Sequence, residues 1–177
     1  MGREEIYKTK LKFNGKFDIG SLYEGLHNLL DGRGWKGVPG GDYYETYYYH
    51  KVTPDGLLFV EINWEGKKVF WDDELTIVWY ITLTMRVNAY NIKTHSGSVE
   101  IEFKTEHEIK EPEEPKPSTK IEKILTNYFK IQPPWLKKTW SSVRKPQPVS
   151  MSGKYLYGES EEIRQEIIKI LNAISFS

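Results

Sequence analysis

Residues Leu75 to Ala89 alternate. Leu75, Ile77, Trp79, Ile81, Leu83, Met85, Val87 and Ala89 are apolar, and the residues between them are mostly Thr, Tyr, Arg and Asn. Side chains on a strand point alternately to its two faces, so this run predicts one apolar face and one wetter face. Its β-branched and aromatic content fits a strand. A helix would scatter the same residues around its circumference. The stretch from Leu75 to Ile92 would span roughly 50–60 Å at about 3.3 Å per residue, far longer than an ordinary strand. It must therefore bend or carry a bulge. A long, bent strand with one apolar face predicts the centre of an antiparallel sheet that curls around something apolar.

The flanking sequence supplies partners. Ile6 to Phe13 alternates, with Tyr7, Thr9, Leu11 and Phe13 on one face and three lysines on the other, which predicts an edge strand broken at Asn14-Gly15. Asp18 predicts the N-cap of a helix through Ile19, Leu22, Tyr23, Leu26, Leu29 and Leu30, stopped by Gly32 and Gly34. That helix is the predicted object inside the curl. Trp35 to Asp42 holds Gly37, Pro39, Gly40 and Gly41 and predicts a flexible loop. It lacks the Lys-Ser/Thr that a phosphate cradle requires. Tyr43 to Val52 and Leu57 to Trp64 predict a hairpin around Thr53-Pro54-Asp55-Gly56. Glu65-Gly66-Lys67 predicts a further turn, with a short strand at Val69 to Trp71. A turn at Thr94-His95-Ser96-Gly97 leads to a strand over Ser98 to Ile109. Its Val99, Ile101 and Phe103 face inward and its glutamates face out.

Glu111 to Pro117 reads as a stiff linker. Beyond it, Ser118 caps a predicted helix through Ile121 to Phe129, Trp135 to Val143 predicts a short helical stretch, and Pro146 to Gly153 predicts a loop. Glu159 to Ile174 is a predicted amphipathic helix preceded by Gly158 and capped by Ser160. The whole is one α+β domain over 1–177. An N-terminal strand, helix and antiparallel sheet fill 1–110, the linker 111–117, and a helical C-terminal segment 118–177. The expected architecture is a curved sheet of five to six strands on an N-terminal helix and C-terminal helices, loosely like a helix-grip fold.

The turn Thr94-His95-Ser96-Gly97 leading into Val99-Glu100-Ile101 and the Tyr155-Leu156-Tyr157-Gly158 stretch carry a resemblance. With the helix near Leu22-Tyr23 and the strand around Tyr47-Tyr48-Tyr49, they resemble a group of small uncharacterised archaeal proteins. The resemblance implies a cytoplasmic prokaryotic protein and transfers no catalytic residue.

Composition excludes several chemistries. Lys plus Arg and Asp plus Glu are both 25, so no overall charge drives binding to nucleic acid or membrane. With no cysteine there is no disulfide, thiolate metal site or cysteine nucleophile. Met1-Gly2-Arg3-Glu4-Glu5 predicts no signal peptide, and no apolar run approaches the roughly 20 residues of a membrane span. His27, His50, His95 and His107 show no metal-ligand spacing and read as surface or hairpin histidines. The alternating acids after Ser98 read as a solvated face, and Asp72-Asp73-Glu74 as a turn. No catalytic or cofactor fingerprint is present, so no cofactor or metal is expected and the reading favours no enzyme.

Two features point to association. The tyrosine run predicts exposed aromatic surface through Tyr44 and Tyr48, unless both faces of its strand are covered. From Lys123 to Lys154 there are basic residues and no acid, with Trp135 and Trp140 beside Lys137, Lys138, Arg144 and Lys145. Such a segment suits a protein partner, nucleic acid, an anionic membrane surface, or the chain's own acidic strand. The expectation is a non-catalytic interaction module with a protein partner or a second copy. The alternatives are an apolar-ligand binder with a cavity among Trp64, Trp79, Ile81, Met85 and Phe103, and nucleic-acid binding through the basic segment.

Overall fold

The structure, a computed structural model, describes residues 2–38, 41–71, 76–110 and 146–176. Its strands are β1 (Glu4–Phe17), β2 (Lys36–Gly37), β3 (Glu45–Val52), β4 (Leu57–Trp71), β5 (Thr76–Asn91), β6 (Ser96–Lys110) and β7 (Ser175–Phe176). Its helices are α1 (Ile19–Gly32) and α2 (Pro146–Ile174). The order across the sheet is β2-β4-β5-β6-β1-β7, with β3 beside β4, and every pairing is antiparallel. The long strands β3 to β6 form a meander, and β1 returns to lie next to β6. Both helices pack on one face. This is the expected α+β architecture, with the long alternating strand near its middle.

The bend in β5 falls at Ala89, whose φ is +50°. The register slips there against β6, between Asn88 and Asn91, and nearby against β4, between Leu58 and Val60. A bulge shifts the inward parity by one residue. Ile81, Leu83, Met85 and Val87 are buried, Ala89 is exposed, and Tyr90 is buried in its place. Ala89 therefore leaves the apolar face to which simple alternation assigns it.

Several expected breaks are continuous structure. β4 passes straight through Gly66, which pairs with Ile81. A Cβ on Gly66 would lie 3.0 Å from Ile81 Cγ2 and 3.3 Å from Tyr44 Cε1, so this glycine makes room for packing and no turn forms. β1 runs through Asn14-Gly15 because Gly15 stays in register opposite Gly97. The turn after β5 covers Ile92 to His95, where Asn91 Oδ1 accepts from the amides of Lys93 (2.9 Å) and Thr94 (3.2 Å). α2 begins at Pro146, well before the expected Glu159. Proline is compatible with a first helical turn, whose N–H groups have no intrahelical acceptor in any case. Gly158 and Ser160 accordingly lie inside α2. The Ser160 hydroxyl donates to the Leu156 carbonyl at 2.6 Å and meets Thr105 Oγ1 at 2.8 Å on β6.

The helices share the core. Asp18 caps α1 by accepting from the Ser21 amide at 2.6 Å. Leu22, Leu26 and Leu30 of α1 join Leu156, Ile163, Ile167 and Leu171 of α2 in one buried cluster with the inward side chains of β4, β5 and β6. Gly25 allows the close approach, since a Cβ there would meet Ile170 Cγ2 at 3.0 Å. So α1 is not the sole object inside the curl. α2 packs across β1 and β6, and α1 lies toward β4. The expected linker, the helix after Ser118 and the stretch Trp135 to Val143 lie outside the described residues.

On the opposite face the charges interlock across strands. Lys8 and Lys10 on β1 meet Glu102 (2.9 Å) and Glu100 (2.6 Å) on β6, and Arg86 on β5 meets Glu61 on β4 at 3.0 Å. Among the described residues, the acidic strand is thus complemented by β1 and β5. Such partly solvated pairs add little to stability.

Candidate interaction surface

Among the described residues the tyrosine strand β3 has one neighbour, β4. Its register follows β4 from Tyr47↔Asn63 to Val52↔Leu58, with a slip between Glu45 and Tyr47. The Thr53 amide donates to Leu57 O at 2.8 Å at the turn. In an antiparallel ladder, bonded and non-bonded pairs alternate. Counting back from that bond, Tyr47, Tyr49 and Lys51 exchange backbone bonds with β4. The N–H and C=O groups of Tyr48 and His50 then point away from β4, toward the open edge of the sheet.

The side chains of this edge are wet on both faces. Tyr47 is 47% exposed, Tyr48 54%, Tyr49 47% and Val52 53%. Neither alternate set is buried, although Ile62 and Val60, the β4 partners of Tyr48 and His50, are in the core. The Tyr48 ring lies 5.7 Å from the His50 ring on the same strand.

Tyr44 does not belong to this surface. It is 2% exposed, its hydroxyl donates to Trp35 O at 2.7 Å, and its ring lies edge-on to His27 at 5.3 Å. The slip between Glu45 and Tyr47 turns the chain inward just before β3. At that point Gly37 lies so close beneath Tyr43 that a Cβ would be 1.5 Å from its carbonyl oxygen. Burial pushes the Tyr44 phenol up to about 12, with the charge of Asp31 adding to the rise. Trp35 to Asp42, expected as a flexible loop, opens with the fully buried Trp35. The indole of Trp35 donates to Glu159 at 3.0 Å, and Glu159 also holds the Lys68 ammonium in an ion pair. Trp135, Lys137, Lys138, Trp140, Arg144 and Lys145 lie outside the described residues.

The histidines are dispersed. His27 Nε2 lies 3.2 Å from Asp42 O, and His95 Nδ1 is 3.0 Å from the Tyr90 hydroxyl. His107 is not at the surface. The inward parity of β6 continues to it, and it is 3% exposed. Its Nδ1 is 3.3 Å from Ser152 Oγ and its Nε2 is 3.1 Å from Glu4 Oε2. The order serine, imidazole, carboxylate imitates a nucleophilic relay, but here the serine is enclosed and the acid is exposed. Ser152 also accepts the Trp79 indole N–H at 2.9 Å, so the cluster ties α2 to the sheet. Among the described residues no three His, Cys, Asp or Glu side chains are placed to hold a metal ion, and no helix is long and apolar enough to cross a membrane.

Comparison adds little. No protein-family model matches the chain, and no curated protein matches it. A solved structure from Staphylococcus aureus, described as a protein of unknown function, aligns over 97% of this chain and 96% of its own at 12% identity and a TM-score of 0.24. That neighbour is bacterial.

The five side chains expected to line an inner cavity, Trp64, Trp79, Ile81, Met85 and Phe103, all belong to the buried core cluster. Phe103 stacks on Tyr7 at 5.4 Å and Trp64 meets Tyr23 edge-on at 5.0 Å.

Proposed function

We propose that this chain is a non-catalytic interaction module that associates through the open tyrosine edge of β3, with a second copy of itself as the first partner. The observation that carries this reading is a solvated aromatic strand with backbone groups free to bond outward. Sheet edges are usually blunted by proline, lysine, bulges or a covering element. β3 has no proline and a single lysine, Lys51, and its one slip lies at its start. An antiparallel pairing of two such edges would satisfy the amides of Tyr48 and His50 and bring the tyrosines of both copies together. Archaeal kinship and a cytoplasmic home belong to the same proposal and rest on the resemblance given above.

The test is sedimentation across a wide concentration range, combined with amide exchange at Tyr48 and His50. Concentration should increase mass and slow exchange at these two amides. Tyr48→Pro removes an outward donor without touching a bond to β4. It should weaken association roughly tenfold or more, equivalent to about 1.4 kcal/mol. Mass and exchange that stay flat with concentration would rule the reading out.

A further inference from the structure

A second surface lies on the helix-bearing side of the sheet, where α1 ends against the far half of β4 and the middle of α2. Two adjoining openings there, of about 730 and 520 Å³, share Arg33, Lys68, Trp79 and Glu159 as a common wall. The larger is of the size that small-ligand sites occupy, roughly 300–1,000 Å³. We propose that this cleft binds a small aromatic anion, its ring against Phe70 and Trp79 and its acidic group near Lys154.

The charge balance sets the sign of the ligand. The two acids that line the cleft are already engaged. Glu159 holds Lys68 and the Trp35 indole N–H, and Glu162 holds Arg33 at 2.9 Å. Two lining lysines, Lys67 and Lys154, have no acid partner among the described residues. Among the described residues the uncompensated charge is therefore positive.

The walls set the shape. Phe70 is 42% exposed at the end of β4, and its ring rests on Trp79 at 4.6 Å with a tilt of 58°. Tyr155 on α2 is 62% exposed across the smaller opening. Large rings left wet beside lysines suit a flat π-system that covers apolar area while its anion meets an ammonium. The floor is fixed in advance. Lys68 lies 4.9 Å over the Trp35 ring and is held by Glu159, and Trp79 is tied to Ser152. This site is separate from the β3 edge and does not depend on association there.

Three probes separate the contributions: naphthoate, its neutral analogue naphthalene methanol, and the non-aromatic anion cyclohexane carboxylate. Calorimetry would give affinities, and amide shifts would map the site. Naphthoate should move amides at 67–70, 79 and 154–159, and both analogues should bind roughly tenfold more weakly or worse. Phe70→Ala and Lys154→Ala each alter an exposed side chain. Each should weaken naphthoate by about tenfold, Lys154→Ala with an unchanged unfolding midpoint and Phe70→Ala with the protein still folded in the assay. Equal affinity for naphthalene methanol, shifts confined to other regions, or no shift at millimolar naphthoate would overturn the proposal.

Discussion

Trp35→Ala is expected to remove about 3–5 kcal/mol of folding stability, the cost typical of deleting a fully buried large aromatic side chain. The position joins three elements. Trp35 follows α1 directly, its carbonyl accepts from the Tyr44 hydroxyl ahead of β3, and its indole donates to Glu159 on α2. Alanine would leave a void beneath Lys68 and take one donor from a carboxylate that is 17% exposed. A domain of this kind is stable by about 5–15 kcal/mol in total, so the loss is a large fraction of the whole. Trp35→Phe keeps most of the apolar area and loses only the donor, which should cost about 1–3 kcal/mol. Urea unfolding of the three proteins measures both steps. An alanine variant within about 1 kcal/mol of the parent would show that Trp35 does not tie the three elements together.

What the sequence displayed and what it concealed divide along the range of the interactions. The alternation of β5, the helical spacing of Leu22, Leu26 and Leu30, the Asp18 cap and the turn at Pro54-Asp55-Gly56 are local patterns, set by faces a few residues apart. The structure places each where the pattern does, except that the bulge at Ala89 ends the alternation of β5. Gly66 and Gly15 read as breaks because glycine is common in turns. Their actual reasons, room for Ile81 and Tyr44 and register opposite Gly97, lie far along the chain. Trp35 follows two glycine stops and reads as loop until Tyr44 and Glu159 close around it. Pro146 and Pro148 resemble loop residues because a helix accepts proline only in its first turn, and nothing local says that a first turn begins there. The tyrosine run pointed to exposed aromatic side chains, and Tyr47, Tyr48 and Tyr49 are exposed. It could not separate Tyr44 from Tyr48, because the slip before Tyr47 that turns one inward arises from pairing with β4. Lys68 and Phe70 share a face of β4 by strand spacing, but Glu159 reaches them only through α2, which no spacing rule could have shown.

Alkaline pH should destabilise the fold steeply between about pH 10, the ordinary phenol value, and pH 12. Burial, with a hydrogen bond to Glu161, raises Tyr7 to about 12, and burial together with the charge of Asp31 raises Tyr44 to about 12. Tyr23 also moves upward, through burial and then its 2.5 Å bond to Glu45. A phenol with a raised folded value holds its proton more tightly in the native state than in the unfolded chain. Its contribution is complete below the unfolded value and is lost as pH rises through the folded one. For Tyr44 the rise corresponds to a contribution on the order of 1–3 kcal/mol. Tyr44→Phe isolates this contribution. At neutral pH the variant loses the bond to Trp35 O and should be less stable by about 1 kcal/mol. Above pH 10 it has no phenol to ionise at that position, so its stability should fall more slowly and its curve should meet the parent's before pH 12. Denaturant midpoints at neutral and alkaline pH decide it. Parallel parent and variant curves would mean that ionisation at Tyr44 does not oppose folding, and the enclosed box of Trp35, His27 and Trp64 around it would have to be open to water.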